Sequence, residues 1–280
     1  MTTPSQLRGA VSTGATYLLL VVGALLTLAP FLLSLLTAVK TPGQFAAQPV
    51  LAPPAPPTVA NFAELFGERY DFVPPIVVTA QVVAVILIGQ LLFSVFAAYA
   101  FARLRFPGRD ALFWLYLATL MVPQAVTIIP LYSVFADLGL RNTFWALVLP
   151  QLFGSPYAIF LLREYFRTIP GDLLDAAKLD GAGTLRTLRH VVVPISRPIL
   201  ATLAIITVVT HWNSFLWPLV ITTGRQWQGL TVATVSLQSQ FNGNWTIVMA
   251  ATTVAILPLL VLFLLFQRHV IRSITITGFR

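Results

Sequence analysis

Charged residues concentrate in one short stretch of this sequence. Only 9% of the chain is charged and 57% is hydrophobic, yet seven charges lie within the 27 residues from Asp172 to Pro198. Carboxylates and basic side chains at this density can form ion pairs and charge-assisted hydrogen bonds with another molecule. The stretch is therefore the first candidate for a functional site, and its charged residues are Asp172, Asp175, Lys178, Asp180, Arg186, Arg189 and Arg197.

A second group of candidate residues interrupts an apolar run further along the chain. The segment HWNSFLWP places Trp212, Asn213 and Ser214 among aliphatic side chains. An amide or a hydroxyl can hydrogen-bond a sugar hydroxyl, and an aromatic ring can pack on the C–H face of a sugar. Alternatively, these groups bond to neighbouring helices. The same two interpretations apply to four glutamines, Gln81, Gln90, Gln124 and Gln151.

Several other chemistries are excluded by composition and spacing. The chain has no cysteine, which excludes disulfides and thiolate metal sites, and His190, His211 and His269 lack metal-ligand spacing. The phosphate-binding pattern GxxxxGK[ST] is absent, so we do not expect this chain to hydrolyse ATP. All nine acidic residues lie outside the long apolar runs. This distribution counts against an ion-coupled transporter, because such proteins often keep a carboxylate in the membrane to bind a proton or sodium.

Long apolar runs dominate the remaining sequence. A mean hydropathy of +0.84 indicates lipid as the main solvent, since a soluble domain needs more surface charge. At about 1.5 Å per residue, even a run of about 20 residues crosses a hydrocarbon core of about 30 Å. We predict an all-α polytopic membrane protein with a single domain over 1–280, whose six transmembrane helices lie at 15–39, 73–102, 111–135, 143–162, 198–222 and 246–267. The fourth, with Pro150, Gly154 and Pro156, is expected to kink.

The distribution of basic residues predicts the orientation. With the N-terminus inside, thirteen of the seventeen Lys and Arg residues lie on the inner side. This split agrees with the positive-inside rule and places both termini in the cytoplasm. It also explains the net charge of +8 without nucleic acid, which would need the basic residues on one soluble face. The four outer basic residues are Lys40, Arg69, Arg141 and Arg225.

The charged stretch has the pattern of a helix, a turn and a second helix. Asp172 is a suitable N-cap and Asp175 falls in the first turn, where a carboxylate meets free backbone N–H groups. Gly181 suits the left-handed position that follows a helix. Thr184 can cap the second helix, and Pro194 is expected to break or kink the path back into the membrane.

A helix this short needs a surface to pack on, because isolated short helices are marginal in water. Lipid headgroups are one possible surface, but the acidic first turn suits an anionic leaflet poorly. A groove on a protein partner is the better interpretation. The apolar side that would face it consists of Leu173, Leu174, Ala176, Ala177 and Leu179.

This loop resembles the EAA loop of bacterial ABC-importer permeases. That family pattern is Glu-Ala-Ala, three residues, Gly, about nine residues and an apolar residue followed by Pro. Here Asp175-Ala176-Ala177 precedes Gly181 by the same spacing, and Pro194 ends the loop. Asp175 replaces the family's Glu, and Ser214 stands where many members have an acid. The segments FRTIPGDLLDAAKLDGAG, ATLAIITVVTHWNSFLWPL and ILPLLVLFLLFQRHVIRSITITG are also similar to the second permease subunit of maltose-type carbohydrate importers.

The resemblance implies a permease subunit of an ATP-driven sugar importer in the bacterial inner membrane, with the type I ABC-importer fold and a cytoplasmic coupling helix within the loop 166–197. It implies a second permease chain, two ATPase subunits and an extracytoplasmic sugar-binding protein, and no nucleic acid. No cofactor is expected in this chain, because ATP and Mg²⁺ would be bound by the partner ATPase. The residues implied to couple to the ATPase are Asp175, Ala176, Ala177, Gly181, Leu174 and Pro194, and the substrate path is predicted to include Trp212, Asn213, Ser214, Gln81 and Gln124.

Two other classes of protein are the alternatives. An ion-coupled secondary transporter of a small polar solute would take up its substrate without ATP. A membrane-embedded enzyme would need acids in or at the edge of the membrane, such as paired Asp motifs, and the sequence shows none. The outer loop 40–72 contains the Pro-rich piece QPVLAPPAPPTVANFAELF with a short helical patch predicted at 59–67, and it is either a spacer or a docking surface for an external partner.

Overall fold

Helices make up the regular structure of this chain. A computed structural model describes the backbone of residues 4–240 and 244–277, and the side-chain environments of 13–238 and 244–267. These residues contain no strand, so the predicted all-α class is confirmed for the described part. Two 3₁₀ turns lie at Thr119–Met121 and Arg225–Trp227, and a π-helical turn at Leu188–Val192. The α-helices are α1 (Pro4–Ala38), α2 (Pro42–Ala47), α3 (Ala60–Leu65), α4 (Val73–Arg103), α5 (Arg109–Ala118), α6 (Gln124–Asp137), α7 (Phe144–Leu152), α8 (Pro156–Thr168), α9 (Gly171–Leu179), α10 (Thr184–Thr187), α11 (Val193–Ile195), α12 (Arg197–Trp212), α13 (Leu216–Ile221), α14 (Leu230–Gln240) and α15 (Trp245–Thr277).

Four helical segments in the described residues are long and apolar enough to cross a membrane: Thr13–Ala38, Val73–Arg103, Phe144–Thr168 and Trp245–Gln267. Two further pairs reach that length only as bent spans. Arg109–Met121 meets Gln124–Asp137 at 101°, and Thr184–Ile195 meets Arg197–Trp212 at 80°. The chain is thus a multi-pass membrane protein, and the predicted count of six holds if each bent pair is one span.

Two of the runs that were expected to be continuous are broken, and prolines explain both breaks. The predicted helix 111–135 stops before Pro123, where Val122 is extended at φ −83° and ψ 116°. A residue that precedes proline is driven out of the helical region by the pyrrolidine ring. The predicted helix 198–222 is interrupted at residues 213–215. Pro218 lacks the N–H that would bond the carbonyl of Ser214, and its ring clashes with that carbonyl in a continuous helix.

The expected kink in the fourth run is confirmed as a break between α7 and α8. Pro156 is the first residue of α8, and Ser155 before it is extended at φ −82° and ψ 134°. Pro150 remains inside α7. The break therefore lies at the second of the two prolines, for the same reason that Val122 leaves the helix before Pro123.

The described residues form two compact units, one within Met1–Phe72 and Thr234–Leu257, the other within Val73–Ala233 and Pro258–Arg280. In the first unit, buried Asn61 closes the loop that follows α1. Its Nδ2 donates to the carbonyls of Ala38 and Lys40, both at 2.7 Å, and its Oδ1 accepts from Thr246 Oγ1 at 3.0 Å. Lys40 is buried as well, and its Nζ donates to two carbonyls of the Pro-rich loop. The predicted patch at 59–67 is confirmed as α3.

The second unit is built around α4, which packs against α7, α8 and α12. One cluster of its core contains Tyr99 of α4 and Phe166 of α8, whose rings meet edge to face at 6.5 Å. Leu174 of α9 and Leu188 are buried in the same cluster. The charged stretch is therefore anchored to the helices that precede it. The prediction of a single domain stays a prediction.

Candidate functional site

Three helix breaks of the second unit border one cleft of about 890 Å³. They are the α5–α6 break at Val122, the α7–α8 break at Gly154 and the α12–α13 break at Ser214. Each break frees backbone groups that a continuous helix would pair, and it brings polar side chains to the gap. The lining residues are Thr119, Leu120, Val122, Gln124, Thr127, Pro150, Gln151, Pro156, Thr210, His211, Asn213, Ser214, Phe215 and Leu216.

The cleft brings together three of the predicted substrate-path residues, Gln124, Asn213 and Ser214. Asn213 is the exposed C-cap of α12, and its Nδ2 donates to the Val209 carbonyl at 2.8 Å. None of the described residues donates to its Oδ1, so this oxygen can accept a bond from a bound molecule. The Ser214 carbonyl, freed by Pro218, accepts from Thr231 Oγ1 at 2.5 Å.

The other predicted path residues lie elsewhere. Trp212 is buried and lines a smaller pocket of about 40 Å³, together with His211, Gln151 and Ser214. Gln81 is exposed on α4 and lines neither space. The structure therefore keeps Trp212 beside the cleft and separates Gln81 from it.

Gln90 and Gln151, the other two candidate glutamines, have different environments. Gln151 lines the cleft. Gln90 is buried, and both ends of its amide bond to neighbouring segments: Nε2 to the Gln151 carbonyl at 3.4 Å, and Oε1 to Thr207 Oγ1 at 2.9 Å. For Gln90, bonding between helices is therefore the interpretation that the geometry supports.

Sequence reasoning missed three hydroxyl groups in the cleft, on Thr119, Thr127 and Thr210. A threonine in an apolar run gives no signal by itself, because its hydroxyl commonly bonds a carbonyl of its own helix. Thr119 and Thr127 do so here, to Tyr116 and Gln124. Their proximity to Pro123 is the signal that was available, since a helix break turns nearby polar groups toward the gap.

The predicted left-handed turn after α9 is confirmed. Gly181 has φ +77°, a region that glycine enters without the steric cost of a Cβ. The Gly181 N–H donates to the Lys178 carbonyl, and the Ala182 N–H to the Ala177 carbonyl, both at 2.9 Å. This pair of bonds is the Schellman motif, and it satisfies carbonyls at the end of the helix.

The predicted capping of both helices in this loop is wrong. The N-cap of α9 is Pro170, without a side-chain cap bond, because the helix already begins at Gly171 and Asp172 lies in its first turn. Similarly, α10 starts at Thr184 itself with Gly183 as its N-cap. Thr184 is thus the first helical residue and not the cap.

The faces of α9 separate anchoring residues from surface residues. Leu174 points into the core and is only 7% exposed, so its side chain holds α9 on this chain and is not presented on the surface. Asp175 and Ala176 are exposed, and Ala177 is half-buried. Asp175 pairs with Lys178 at 2.8 Å, one turn further along the same helix. Three exposed leucines complete this surface, Leu173, Leu179 and Leu185.

The second half of the loop is helical through Pro194. The π-helical turn at Leu188–Val192 lies directly before α11, the short helix that contains Pro194. A π turn places one extra residue in a helical turn, and such turns often occur at functional sites. The direction changes by 80° between α11 and α12, at buried Ser196. The expected kink near Pro194 therefore occurs two residues later.

Arg103, at the end of α4, fixes the segment that leads into α9. Its guanidinium donates from Nε to the Phe166 carbonyl at 3.1 Å, and from Nη2 to the carbonyls of Phe166 and Ile169. These carbonyls lie at the C-terminal end of α8, where helices leave acceptors unpaired. A basic group there also interacts favourably with the helix dipole. The end of α8, and hence the start of α9, is thereby tied to α4.

Comparison with known proteins agrees with this architecture. The model of the family described as binding-protein-dependent transport system inner membrane component matches residues 90–276. The sn-glycerol-3-phosphate transport system permease protein UgpE of Yersinia pestis bv. Antiqua is 34% identical over 92% of this chain and 94% of its own length. UgpE of Brucella abortus is 32% identical over 93% of this chain and 95% of its own.

A solved structure of a bacterial ABC transporter involved in the import of the acidic polysaccharide alginate has the same fold. It superimposes with a TM-score of 0.83 over 96% of this chain and 98% of that one, at 22% sequence identity. The family match covers more than half of the chain, and the UgpE relatives cover nearly all of it. This chain therefore belongs to the binding-protein-dependent transport system inner membrane component family and is a multi-pass permease subunit of an ABC importer.

Proposed function

We propose that this permease imports a polyhydroxylated solute, a sugar or a related polyol, along a path that includes the cleft at the three helix breaks. The cleft carries this proposal, because it gathers the amides of Gln124, Gln151 and Asn213 with several hydroxyl groups. Such neutral donors and acceptors match the hydroxyls of a sugar. The UgpE relatives are named for the transport of sn-glycerol-3-phosphate, and the transporter with the same fold is involved in the import of alginate. Both of these molecules carry hydroxyl groups.

The proposed complex contains a second permease chain, two ATPase subunits that bind ATP and Mg²⁺, and an extracytoplasmic binding protein that delivers the solute. Membership of a binding-protein-dependent system supports this composition. The family assignment favours ATP-driven import over the ion-coupled alternative. In this arrangement α9 is the coupling helix, and its exposed Asp175 and Ala176 meet the ATPase together with Gly181 in the turn that follows.

The proposed coupling runs through packed side chains. A displacement of α9 would act on Leu174, which is buried against the cluster that contains Tyr99 and Phe166. It would also act on the end of α8, which Arg103 ties to α4. Since α8 begins at Pro156 on the cleft, movement of α8 would change the cleft. Rigid helices can transmit such a displacement, because packed interfaces shift as units.

The proposed orientation places α9 and both termini in the cytoplasm of a bacterial inner membrane. The uneven distribution of Lys and Arg supports it. A reporter fused after Arg280 should be cytoplasmic, and one inserted at Pro54 should be external. An external C-terminal reporter would contradict both the helix count and the position of α9.

The cleft is tested by comparing Asn213→Ala with Gln81→Ala in the complex reconstituted in vesicles. No described residue donates to Asn213 Oδ1 in the cleft, whereas Gln81 is exposed outside it, so the second variant is a matched control. Loss of one hydrogen bond, about 0.5–1.5 kcal/mol net, should raise KM for uptake about 2- to 12-fold for Asn213→Ala. The effect should differ between related sugars. An equal loss for every sugar would assign Asn213 to helix packing.

A further inference from the structure

We propose that Gln90 is a positioning residue that holds two walls of the cleft, the α7–α8 break and α12, at a fixed separation. This inference rests on the proposed function of the cleft, because it assigns to Gln90 the role of setting the cleft's geometry. Gln90 lies outside the cleft lining and is only 7% exposed, so it acts through the residues it bonds.

The two bonds of the Gln90 amide reach both walls. Its Nε2 donates to the backbone carbonyl of Gln151, whose side chain lines the cleft. Its Oε1 accepts from Thr207 Oγ1 at 2.9 Å. Thr207 lies on α12 one helical turn before Thr210 and His211, which line the opposite wall. Gln90 therefore connects Gln151, on the wall at the α7–α8 break, to the turn of α12 that precedes the residues of the other wall.

Backbone groups of the α7–α8 break form hydrogen bonds with side chains of α4 and α5. The Ser155 N–H donates to Ser94 Oγ at 3.2 Å, and the Tyr116 hydroxyl donates to the Gly154 carbonyl. Side chains of neighbouring helices thus satisfy the groups that Pro156 and the break leave free, as required inside a membrane.

The backbones of α4 and α7 also approach each other closely, which further fixes the position of the α7–α8 break. A Cβ on Gly89 of α4 would lie 2.4 Å from Leu152 Cδ1 and 2.7 Å from the Leu152 carbonyl oxygen. No side chain fits there, so α4 lies directly against the end of α7. With this wall fixed on α4, the bond from Gln90 to Thr207 sets the position of α12 relative to it.

An amide is the group this position requires. It donates and accepts at the same time, whereas Leu does neither and an ionised Glu accepts only. Loss of either partner would leave a buried polar group without its bond, which is costly in a low-dielectric site. Replacing Gln90 should therefore shift the populations of cleft geometries without removing any group that lines the cleft.

The test uses the absence of cysteine from this chain. Thr210→Cys introduces a single thiol in the cleft, and its rate of reaction with a small thiol reagent reports the cleft's geometry in the assembled complex. That rate should change at least about threefold in a Gln90→Leu background, the size that follows from losing the buried bond to Thr207 alone. It should stay unchanged in the Gln81→Leu background, an equal substitution on the exposed side of the same helix.

Variants of Thr207 supply a second, independent readout. Thr207→Val removes the hydroxyl and should change the labelling rate in the same direction as Gln90→Leu, whereas Thr207→Ser keeps the hydroxyl and should retain the native rate. The Gln90→Leu, Thr207→Val double variant should match Gln90→Leu alone, because Gln90→Leu already removes the bond that Thr207→Val removes. If Gln90→Leu does not assemble, the comparison between Thr207→Val and Thr207→Ser decides.

Uptake separates this inference from the proposed function. Gln90→Leu should raise KM for uptake about three- to tenfold, with ATP hydrolysis by the complex still stimulated at saturating solute. A changed labelling rate with an unchanged KM for every solute would support the positioning role and overturn the cleft as substrate path. An unchanged labelling rate in Gln90→Leu, or equal rates in Thr207→Val and Thr207→Ser, would overturn the inference even if Asn213→Ala alters sugar preference.

Discussion

Three prolines determine where the helices around the cleft end. Val122 and Ser155 leave the helical region because each precedes a proline, Pro123 and Pro156. Pro218 acts at a distance of four residues, because it leaves the Ser214 carbonyl without an intrahelical donor. The cleft is thus encoded by single prolines, whose effect on the helix backbone a hydropathy average does not show.

Gly181 provides a prediction at this scale. Its φ of +77° costs a residue with a Cβ about 1–2 kcal/mol, although a Cβ there would meet nothing within 4 Å. Gly181→Val should therefore weaken the end of α9 by strain alone and lower the amount of ATPase that co-purifies with the complex. Gly183 is the control, because its φ of −70° and ψ of 170° accept valine and its Cβ site is also open. Equal ATPase retention in both variants would contradict the role of the turn.

At the scale of elements, hydropathy predicted where apolar helices exist but not where they bend. The run 73–102 became α4 nearly unchanged, since it has no proline beyond its first turn. The runs 111–135 and 198–222 were predicted as continuous, although Pro123 lay inside the first and Pro218 inside the second. Periodicity and composition report burial and solvent, and they carry no information on the direction in which a helix resumes after a break.

The candidate site was only partly predicted, and the reason is the same. Asn213 and Ser214 stood out as polar residues in an apolar run, and the structure places both on the cleft. Gln81 looked equivalent in sequence but lies on another face of α4. The cleft depends on which helices meet at their breaks, and this arrangement is a tertiary property that one sequence does not display.

The proposed coupling role of α9 gives the prediction at the scale of elements. Asp175→Lys places a like charge beside Lys178 and opposes the helix dipole near the N-terminus of α9. If Asp175 meets a basic residue of the ATPase, stimulated hydrolysis and uptake should fall together for every sugar. Asp137→Lys, an exposed charge reversal at the end of α6, is the control. A fully coupled Asp175→Lys complex would remove Asp175 from the ATPase interface.

At the scale of the whole molecule, this chain is an importer subunit that works together with other chains. The family match and the coverage of the UgpE relatives extend over most of the sequence. Exposed apolar side chains along α1, among them Leu19, Leu26 and Tyr17, are compatible with lipid or a second permease chain as their environment. A permease subunit of an ABC importer works with a separate ATPase subunit, and in the proposed arrangement ATP acts through that subunit at α9.

The most direct test of that central claim is uptake by the complete complex reconstituted in vesicles, with its binding protein and solute outside. Uptake is measured with and without ATP in the lumen, and with ionophores that collapse every ion gradient. We expect that uptake stops when ATP is omitted and is unaffected by the ionophores. Uptake that continues without ATP for as long as an ion gradient persists would contradict it.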